Sequence, residues 1–321
     1  MSPLSIVKMQ IYHQITEFKV EKPVLTIGSF DGVHLGHRQV IEKLKAIAQA
    51  KKAETVIFTF HPHPQFVLAP EWSRKELRML TTIDERIELF ERAGVDHLVI
   101  YPFTPDFGQL AYAEFVQTIL VEQLHVHTLV LGYDHCLGKN REGNFDTLAT
   151  LSAHYDFELE KLDALLVDDN NISSTKIRRA LQAGEVQLAE RYLGYRYHFS
   201  GSVVEGKQIG RKIEFPTANV KLGDCFKLIP KDGVYAVQVQ VMGRVYGGVM
   251  NIGSRPTVNT QLDNRTIEVH IFDFHADIYG RNIQVMFVSR LREERKFDSL
   301  AELREQLQRD KLQAMNELEK C

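Results

Sequence analysis

The chain has 321 residues, 44% of them hydrophobic and 25% charged, which is long enough for about two globular domains. Its formal net charge of −3 excludes the strongly basic profile of a general nucleic-acid or membrane-surface binder. The three cysteines, Cys136, Cys225 and Cys321, form no C-x-x-C pair, which argues against a disulfide framework or a zinc site. No apolar run near the chain start reads as a signal, and none approaches the ~18 residues of a membrane span, so the sequence predicts a cytoplasmic protein.

The first half of the chain alternates short β-type runs with helical patterns, which is typical of a Rossmann-like parallel sheet with helices on both faces. Such sheets bind ligands beyond the carboxyl ends of their strands. Thr82, three residues before Glu85, predicts a capping box, and Gly94 predicts the end of that helix. The predicted strands are Pro23–Gly28, Thr55–Phe60, His97–Tyr101, Thr128–Gly132 and Phe157–Leu162, and the predicted helices are Arg38–Lys52, Asp84–Ala93, Tyr112–Leu124 and Asp146–Tyr155.

After about residue 195 the pattern changes to β-rich runs without intervening helices, which predicts an antiparallel β-barrel. From Asp298 onward a broken apolar stripe predicts a terminal helix packed on that barrel. A connecting helix is expected at Glu185–Tyr192, so the predicted domains are 1–185 and 186–321. The predicted barrel strands are Val234–Val241, Tyr246–Ile252, Ile267–Phe272 and Ile283–Val288, and the helical stripe comprises Leu300, Leu303, Leu307, Leu312, Met315 and Leu318.

A glycine-rich segment, Gly28–His37, follows the first strand and opens the first helix. Backbone N–H groups and the helix dipole favour phosphate at such a junction. His34 and His37 are three residues apart, so their rings share a helix face and can donate to charge that develops on a triphosphate. Two surface histidines on a glycine-rich loop remain the alternative. The candidate phosphate-binding residues here are Gly28, Phe30, Gly32 and Gly36.

A second candidate phosphate site lies at Asn171–Arg179, where hydroxyls cap a helix and cations occupy its first turns. Cations are disfavoured at a helix start unless an anion is also there, so phosphate is one interpretation and a solvated basic face is the other. The candidate ligands are Ser174, Thr175, Lys176 and Arg178.

The second half contains a dense motif, Gly201–Val220, in which glycines can form a flap over phosphate and hard oxygen ligands follow Pro216. On a later strand, Glu268 and His270 share the polar face. If this face lines the barrel mouth, Glu268 can accept a proton from a substrate hydroxyl; if it faces water, it is a solvated glutamate. The candidates in the motif are Gly206, Gly210, Arg211, Thr217 and Asn219.

Four motifs, taken together and in order, resemble the FMN adenylyltransferase domain of bacterial bifunctional riboflavin kinase/FAD synthetases. They are Gly28–His37, Phe60–Pro64, Gly132–Gly143 and Ile172–Arg178. The resemblance implies that His34 and His37 contact ATP phosphates and that the residues at 174, 175, 176 and 178 hold them from the opposite side. It places Asp134 in the nucleotide pocket and makes Pro62, His63 and Pro64 flavin-binding candidates. His61, His135 and Leu137 depart from the family pattern.

The second half resembles the riboflavin kinase barrel through Phe215–Asn219, Gly233–Ala236, Asn251–Thr257, Glu268–Phe274 and Leu291–Phe297. This implies that Thr217 and Asn219 bind Mg²⁺–ATP, that Glu268 is the general base for the ribityl hydroxyl, and that Arg292 borders the flavin. Glu214 departs from the family, which has glycine there.

The two resemblances imply a bifunctional transferase that phosphorylates riboflavin to FMN and adenylylates FMN to FAD, using ATP and Mg²⁺. Its expected partners are the small molecules riboflavin, FMN and ATP, with no nucleic acid or membrane, and a monomer is favoured. The alternative function is another nucleotidyltransferase fused to a non-catalytic flavin-binding barrel.

Overall fold

The computed structural model describes residues 8–74, 76–132, 145–162, 166–167, 170–206, 215–254 and 265–320. The chain divides into two compact units, the first comprising Met1–Leu77 and Thr81–Ser173 and the second Arg78–Leu80 and Ser174–Cys321. The division above follows the contacts within each unit. The boundary predicted from the sequence, between 1–185 and 186–321, refers to domains that fold separately, and it stays a prediction. Within the described ranges, no helix is long and apolar enough to cross a bilayer.

The first unit is built on a parallel sheet. Its strands are β1 Gln10–Tyr12, β2 Pro23–Ile27, β3 Glu54–Phe60, β4 His97–Tyr101, β5 Thr128–Leu131 and β6 Glu158–Lys161, followed by the two-residue pair β7 Leu166–Val167 and β8 Asn170–Asn171. The first six strands pair in parallel in the order β1-β4-β3-β2-β5-β6. Central β2 is buried along its whole length, as expected for a strand inside a parallel sheet that is covered on both faces.

The helices of the first unit alternate with its strands as predicted. They are α1 Leu35–Lys51, α2 Pro64–Leu68, α3 Glu71–Arg74, α4 Ile83–Arg92, α5 Tyr112–Phe115 and α6 Phe145–Tyr155. The predicted capping box begins α4: Thr82 Oγ1 accepts from the Glu85 backbone N–H, and Glu85 Oε2 accepts from the Thr82 N–H. The prediction of one regular α-helix over 112–124 is wrong, because α5 ends at Phe115 and the chain continues in wider π-helical turns at Val116–Val121.

The strand order places a switch point between β2 and β5, since the strands that follow β2 add on one side and β5 adds on the other. A crevice beyond the carboxyl ends of the strands forms at such a point, where ligands bind in open α/β sheets. Gly28 follows β2 and Gly132 follows β5. The glycine-rich segment therefore lies where the topology favours a ligand.

The second unit is a closed antiparallel barrel with helices, which confirms the predicted fold class. Its elements are α7 Ser174–Ala183, α8 Val186–Leu193, β9 His198–Val204, β10 Ala218–Leu222, β11 Gly233–Val241, β12 Arg244–Ser254, β13 Arg265–Ile271, β14 Asn282–Arg292 and α9 Leu300–Glu319. The barrel closes in the order β10-β13-β12-β11-β14-β9. Alternation had predicted four of these strands but neither β9, in which serines and a glycine separate the apolar residues, nor β10, which is only five residues long.

Helix α9 packs on the barrel as predicted, but only part of the predicted stripe faces it, including Leu318. Leu312 and Met315 of the predicted stripe are exposed, whereas Ala314 is fully buried among Val234, Val249 and Val288. A Cβ at Gly247 would lie 2.7 Å from Leu318 Cδ1, so a residue without a side chain lets the helix approach β12. The face of α9 that contacts the barrel is therefore set by how closely the helix approaches β12, and not by where its leucines are most frequent.

Candidate functional site

The segment Gly28–His37 forms a tight loop between β2 and α1. The Val33 N–H donates to the Phe30 carbonyl across 3.0 Å, and both residues have positive φ angles. Gly32 has a φ of 86°, which glycine adopts without steric cost. The chain therefore turns sharply into the first turn of α1, where backbone N–H groups favour an anion.

His34 is the N-cap residue of α1. Its Nδ1 accepts a hydrogen bond from the His37 backbone N–H across 3.3 Å. An accepting Nδ1 carries a lone pair, so in the neutral ring the proton lies on Nε2. His34 therefore caps the helix with one nitrogen and is a donor through the other.

His37 is held as a neutral base by its surroundings. Its ring stacks on that of His34 with centroids 3.6 Å apart and lies edge-on to Phe30. Burial, then the neighbouring His34 and then the Arg86 cation lower the pKa of His37 well below its ordinary value. Its buried Nδ1 has no hydrogen-bond partner among the residues that the structure describes. A buried polar atom of this kind calls for a ligand or water, which suits a phosphate-facing residue.

Buried polar side chains hold the loop in place through hydrogen bonds. Asp31 is 2% exposed, and its Oδ1 accepts from the backbone N–H of Thr81 across 3.0 Å and from its hydroxyl across 3.2 Å. Thr81 Oγ1 in turn accepts from the Gly32 N–H across 2.9 Å. From α4, Arg86 donates to the Ser29 carbonyl across 2.7 Å. Three side chains that our sequence analysis did not select therefore fix the loop.

The flavin candidates at the end of β3 form a short cap. The peptide between His61 and Pro62 is cis, and His63 begins α2 by accepting through Nδ1 from the Gln65 N–H. Aromatic rings surround the preceding Phe60: those of Phe103 and Phe107 lie 5.4 and 5.8 Å from it. An aromatic cluster beside an α/β crevice suits a flat apolar ring, and the assignment of Pro62, His63 and Pro64 to the flavin stays a prediction.

The second candidate phosphate group begins α7 in the second unit, with Ser174 as its first residue. Arg178 Nε donates to the Arg78 carbonyl across 2.9 Å, so one donor of this guanidinium binds a backbone oxygen. Thr175 is exposed and Lys176 is partly buried. The candidates Asp134, Gly210 and Arg211, and the departures His135, Leu137 and Glu214, lie outside the described residues.

In the barrel, the polar face of β13 with Glu268 and His270 lines a cavity of about 290 Å³, as the cavity interpretation of Glu268 requires. Asn219 lies directly opposite Glu268 in the register of β10 and β13. Thr217 Oγ1 lies 3.4 Å from Glu268 Oε2. A Cβ at Gly206 would overlap the Asn219 side chain, so glycine makes room for it. The structure therefore brings four predicted residues together.

Arg292 lines the same cavity and is fixed by a buried carboxylate. Its Nε and NH2 groups donate to Asp310 across 2.9 and 2.7 Å, and Asp310 is 1% exposed. Gln306 Nε2 donates to the same carboxylate across 2.8 Å. Leu303 and Leu307 of α9 also line the cavity. The cavity thus offers apolar walls with a few oriented polar groups, as small-molecule sites do.

A second cavity, of about 360 Å³, lies beyond Thr217. Thr217 and Pro216 line one wall, and the loop between β13 and β14 supplies the polar residues His275, Asp277 and Tyr279. Thr217 also lines the first cavity and is thus common to the linings of both.

Two of the residues that sequence reasoning missed carried a detectable signal. Asp310 lies on the apolar seam of α9, three residues after Leu307 and four before Ala314. Arg86 lies likewise on the buried face of α4, three residues before Leu89. A charge on an apolar helix face needs a partner, which marks it for inspection. The loop Phe274–Tyr279 has no comparable signal in its sequence, since it lines the second cavity only because of where it lies in the barrel.

Two family models match the chain in succession. A FAD synthetase model matches residues 17–176, and a riboflavin kinase model matches residues 193–318.

Similar proteins cover nearly the whole chain. Bifunctional riboflavin kinase/FMN adenylyltransferases from Bacillus subtilis and Escherichia coli are 38% and 37% identical to it, each over 94% of this chain and 95% of the relative. A crystal structure named as a macrolide-efflux protein from Streptococcus pneumoniae is 29% identical, with a TM-score of 0.85 over 97% of this chain and 99% of that one.

Proposed function

The chain belongs to the family of bifunctional riboflavin kinase/FMN adenylyltransferases, and on that premise we propose which residues carry each of its two reactions. It is a transferase that phosphorylates riboflavin to FMN and adenylylates FMN to FAD, with ATP as the second substrate of both steps. The alternative, a nucleotidyltransferase with a non-catalytic barrel, is not favoured, because the riboflavin kinase match covers the barrel.

The kinase reaction is assigned to the barrel. Riboflavin occupies the cavity of Glu268 and Arg292, and ATP occupies the second cavity with its phosphates towards Thr217. Glu268 accepts the proton of the terminal ribityl hydroxyl while that oxygen attacks the γ-phosphorus of ATP. The bond from the γ-phosphorus to the bridging oxygen breaks, and ADP leaves. The observation that carries this assignment is the position of Thr217, which lines both cavities and lies 3.4 Å from Glu268.

Mg²⁺ is proposed as the companion of ATP at this site. Thr217 and Asn219 would supply hard side-chain oxygen ligands, which fit the metal. Asn219 lies opposite Glu268, so the ion would be held beside the carboxylate that accepts the hydroxyl proton. When bound, the ion neutralises phosphate charge. Gly206, Gly210 and Arg211 are proposed from the family resemblance as further contacts to the ATP phosphates.

The adenylyl transfer is assigned to the loop of the first unit. A phosphate oxygen of FMN attacks the α-phosphorus of ATP, and the bond to the bridging oxygen of the leaving pyrophosphate breaks. The FMN phosphate is already an anion, so positioning and hydrogen-bond donation suffice. His34 donates through Nε2, and His37, held neutral, donates to the pyrophosphate as charge develops. The tautomer of His34 and the low pKa of His37 support this role.

Other contacts to the substrates are proposed from the family resemblance. Ser174, Thr175, Lys176 and Arg178 hold ATP phosphates, Asp134 contacts the nucleotide, and residues 62–64 contact the flavin. The monomeric state and the cytoplasmic location stay predictions.

Two separate product assays test the assignment. One supplies riboflavin, ATP and Mg²⁺ and follows FMN by chromatography; the other supplies FMN, ATP and Mg²⁺ and follows FAD and pyrophosphate. We expect both products, and we expect a chelator to stop both reactions until Mg²⁺ is restored. FAD formation without any riboflavin phosphorylation would support the non-catalytic barrel instead.

A further inference from the structure

The segment Phe215–Thr217, which leads into β10, is bound to β13 by an unusual side-chain hydrogen bond. The described ladder of β10 with β13 begins at the pair of Ala218 and Val269. Pro216, two residues earlier, has no N–H and cannot donate to a strand ladder. Its carbonyl instead accepts a hydrogen bond from His270 Nδ1 across 2.8 Å. A side chain of β13 therefore extends the pairing of the two strands by one more bond.

This hydrogen bond fixes the tautomer of His270. A carbonyl oxygen only accepts, so the proton of the neutral ring lies on Nδ1 and the lone pair on Nε2. Burial, together with the Lys311 ammonium of α9, lowers the pKa of His270 against the opposing effects of the Pro216 carbonyl and Asp273. The ring is therefore neutral at pH 7 and donates through Nδ1.

Aromatic rings hold the imidazole in place. The ring of Phe215 lies 5.2 Å from it and that of Phe272 lies 5.8 Å from it. Phe215 belongs to the same segment as Pro216, so ring packing and the hydrogen bond join this segment to β13 at two neighbouring points. Both Phe215 and His270 also line the cavity of Glu268.

We propose that His270 is a positioning residue of the kinase reaction, which holds the Pro216 carbonyl and thereby sets the Thr217 hydroxyl beside Glu268. The proposal rests on the kinase function assigned to the barrel. The peptide after Pro216 is planar, so fixing its carbonyl also fixes the start of Thr217. A misplacement of about 1 Å at a reacting group can cost about 100-fold in rate. Loss of the donor therefore lowers the rate of phosphoryl transfer and weakens the use of Mg²⁺–ATP.

Two substitutions separate positioning from other roles. In His270→Asn the amide nitrogen Nδ2 can occupy the place of Nδ1 and still donate to the carbonyl, but Nε2 is lost. In His270→Leu the donor is lost and the volume is roughly kept. We expect the Leu variant to lose about 10- to 100-fold in kcat for FMN formation, with a raised KM for ATP, and the Asn variant to recover most of it.

Adenylylation of supplied FMN is the internal control, and both variants should retain it at the wild-type rate. Histidine ¹⁵N chemical shifts of the wild-type protein give a readout independent of activity, and we expect the Nδ1–H tautomer at His270. Wild-type kcat in the Leu variant, equal losses in the folded Asn and Leu variants, or an Nε2–H tautomer would each overturn the proposal. A wild-type protein that makes no FMN would instead refute the kinase assignment itself.

Discussion

The rings of His34 and His37 stack with their centroids 3.6 Å apart and their planes within 16° of parallel. The His37 backbone N–H also donates to His34 Nδ1, so the first turn of α1 and the two imidazoles are one unit. Two adjacent rings cannot both carry a proton cheaply, because like charges at this distance repel in a partly buried site. The pair therefore cannot carry two positive charges, and His37, whose pKa is lowered by burial and by His34, is the ring that stays neutral.

Removal of one of these donors should affect only one of the two activities. We expect His37→Ala to reduce the kcat of FAD formation from FMN about 100- to 1000-fold, because an oriented donor to the leaving pyrophosphate is lost. Riboflavin phosphorylation should continue at the wild-type rate. His13, which is exposed in the same unit, provides the matched control, and His13→Ala should leave both rates unchanged. Normal FAD synthesis by the His37 variant would remove that residue from the mechanism.

The low pKa of His37 has a measurable consequence in the ligand-free protein. An unfolded histidine has a pKa of about 6.5, and burial lowers the pKa of His37 in the folded state. As the pH falls from about 6.5 towards the folded pKa, the unfolded chain binds more protons, so the free energy of unfolding decreases. NMR titration should show His37 still neutral at pH 6, and His37→Gln should lessen the loss of stability below about pH 6.5. Titration at an ordinary pKa would contradict the assigned environment.

The proposed role of Glu268 as general base of the kinase reaction is tested by a substitution that keeps its shape. Glu268→Gln should lower riboflavin phosphorylation about 100- to 10,000-fold, since an amide cannot accept the hydroxyl proton. FAD formation from supplied FMN should be unaffected. Glu205→Gln, at an exposed position after β9, is the control and should change neither rate. Equal loss of both activities in the Glu268 variant would refute the division between the units.

The buried ion pair of Arg292 and Asp310 beside the cavity of Glu268 should matter more for stability than exposed pairs do. Asp310→Ala leaves the Arg292 guanidinium, which is 20% exposed, without its carboxylate. We expect a cost of about 3–5 kcal/mol in the free energy of unfolding of the second unit, because an uncompensated charge stays buried. Denaturant unfolding measures this loss. Glu305→Ala removes an exposed pair with Arg309 on the same helix and should cost no more than about 0.5 kcal/mol.

Local sequence patterns predicted what depends on neighbours along the chain. The capping box of Thr82 and Glu85, the alternation in β11 and the helical period of α1 each involve residues a few positions apart. Strand β9 was missed because its serines and glycine break the alternation, and the closed barrel supports it through partners on both sides. For α9, the predicted apolar stripe included Leu312 and Met315, which are exposed, because they are as apolar as the residues that pack on the barrel. Hydrophobicity alone does not say which face meets the barrel.

By itself, the sequence determined the two fold classes, the family and the identity of the candidate residues, because short-range periodicity and contiguous motifs encode them. Only the tertiary structure decided that Thr217 and Glu268, 51 positions apart, meet at the junction of two cavities. It also decided that Asp31, Arg86, His270 and Asp310 support the site. The reason is physical: strand register and barrel closure set long-range contacts, and these depend on the packing of the whole unit, which no local pattern contains.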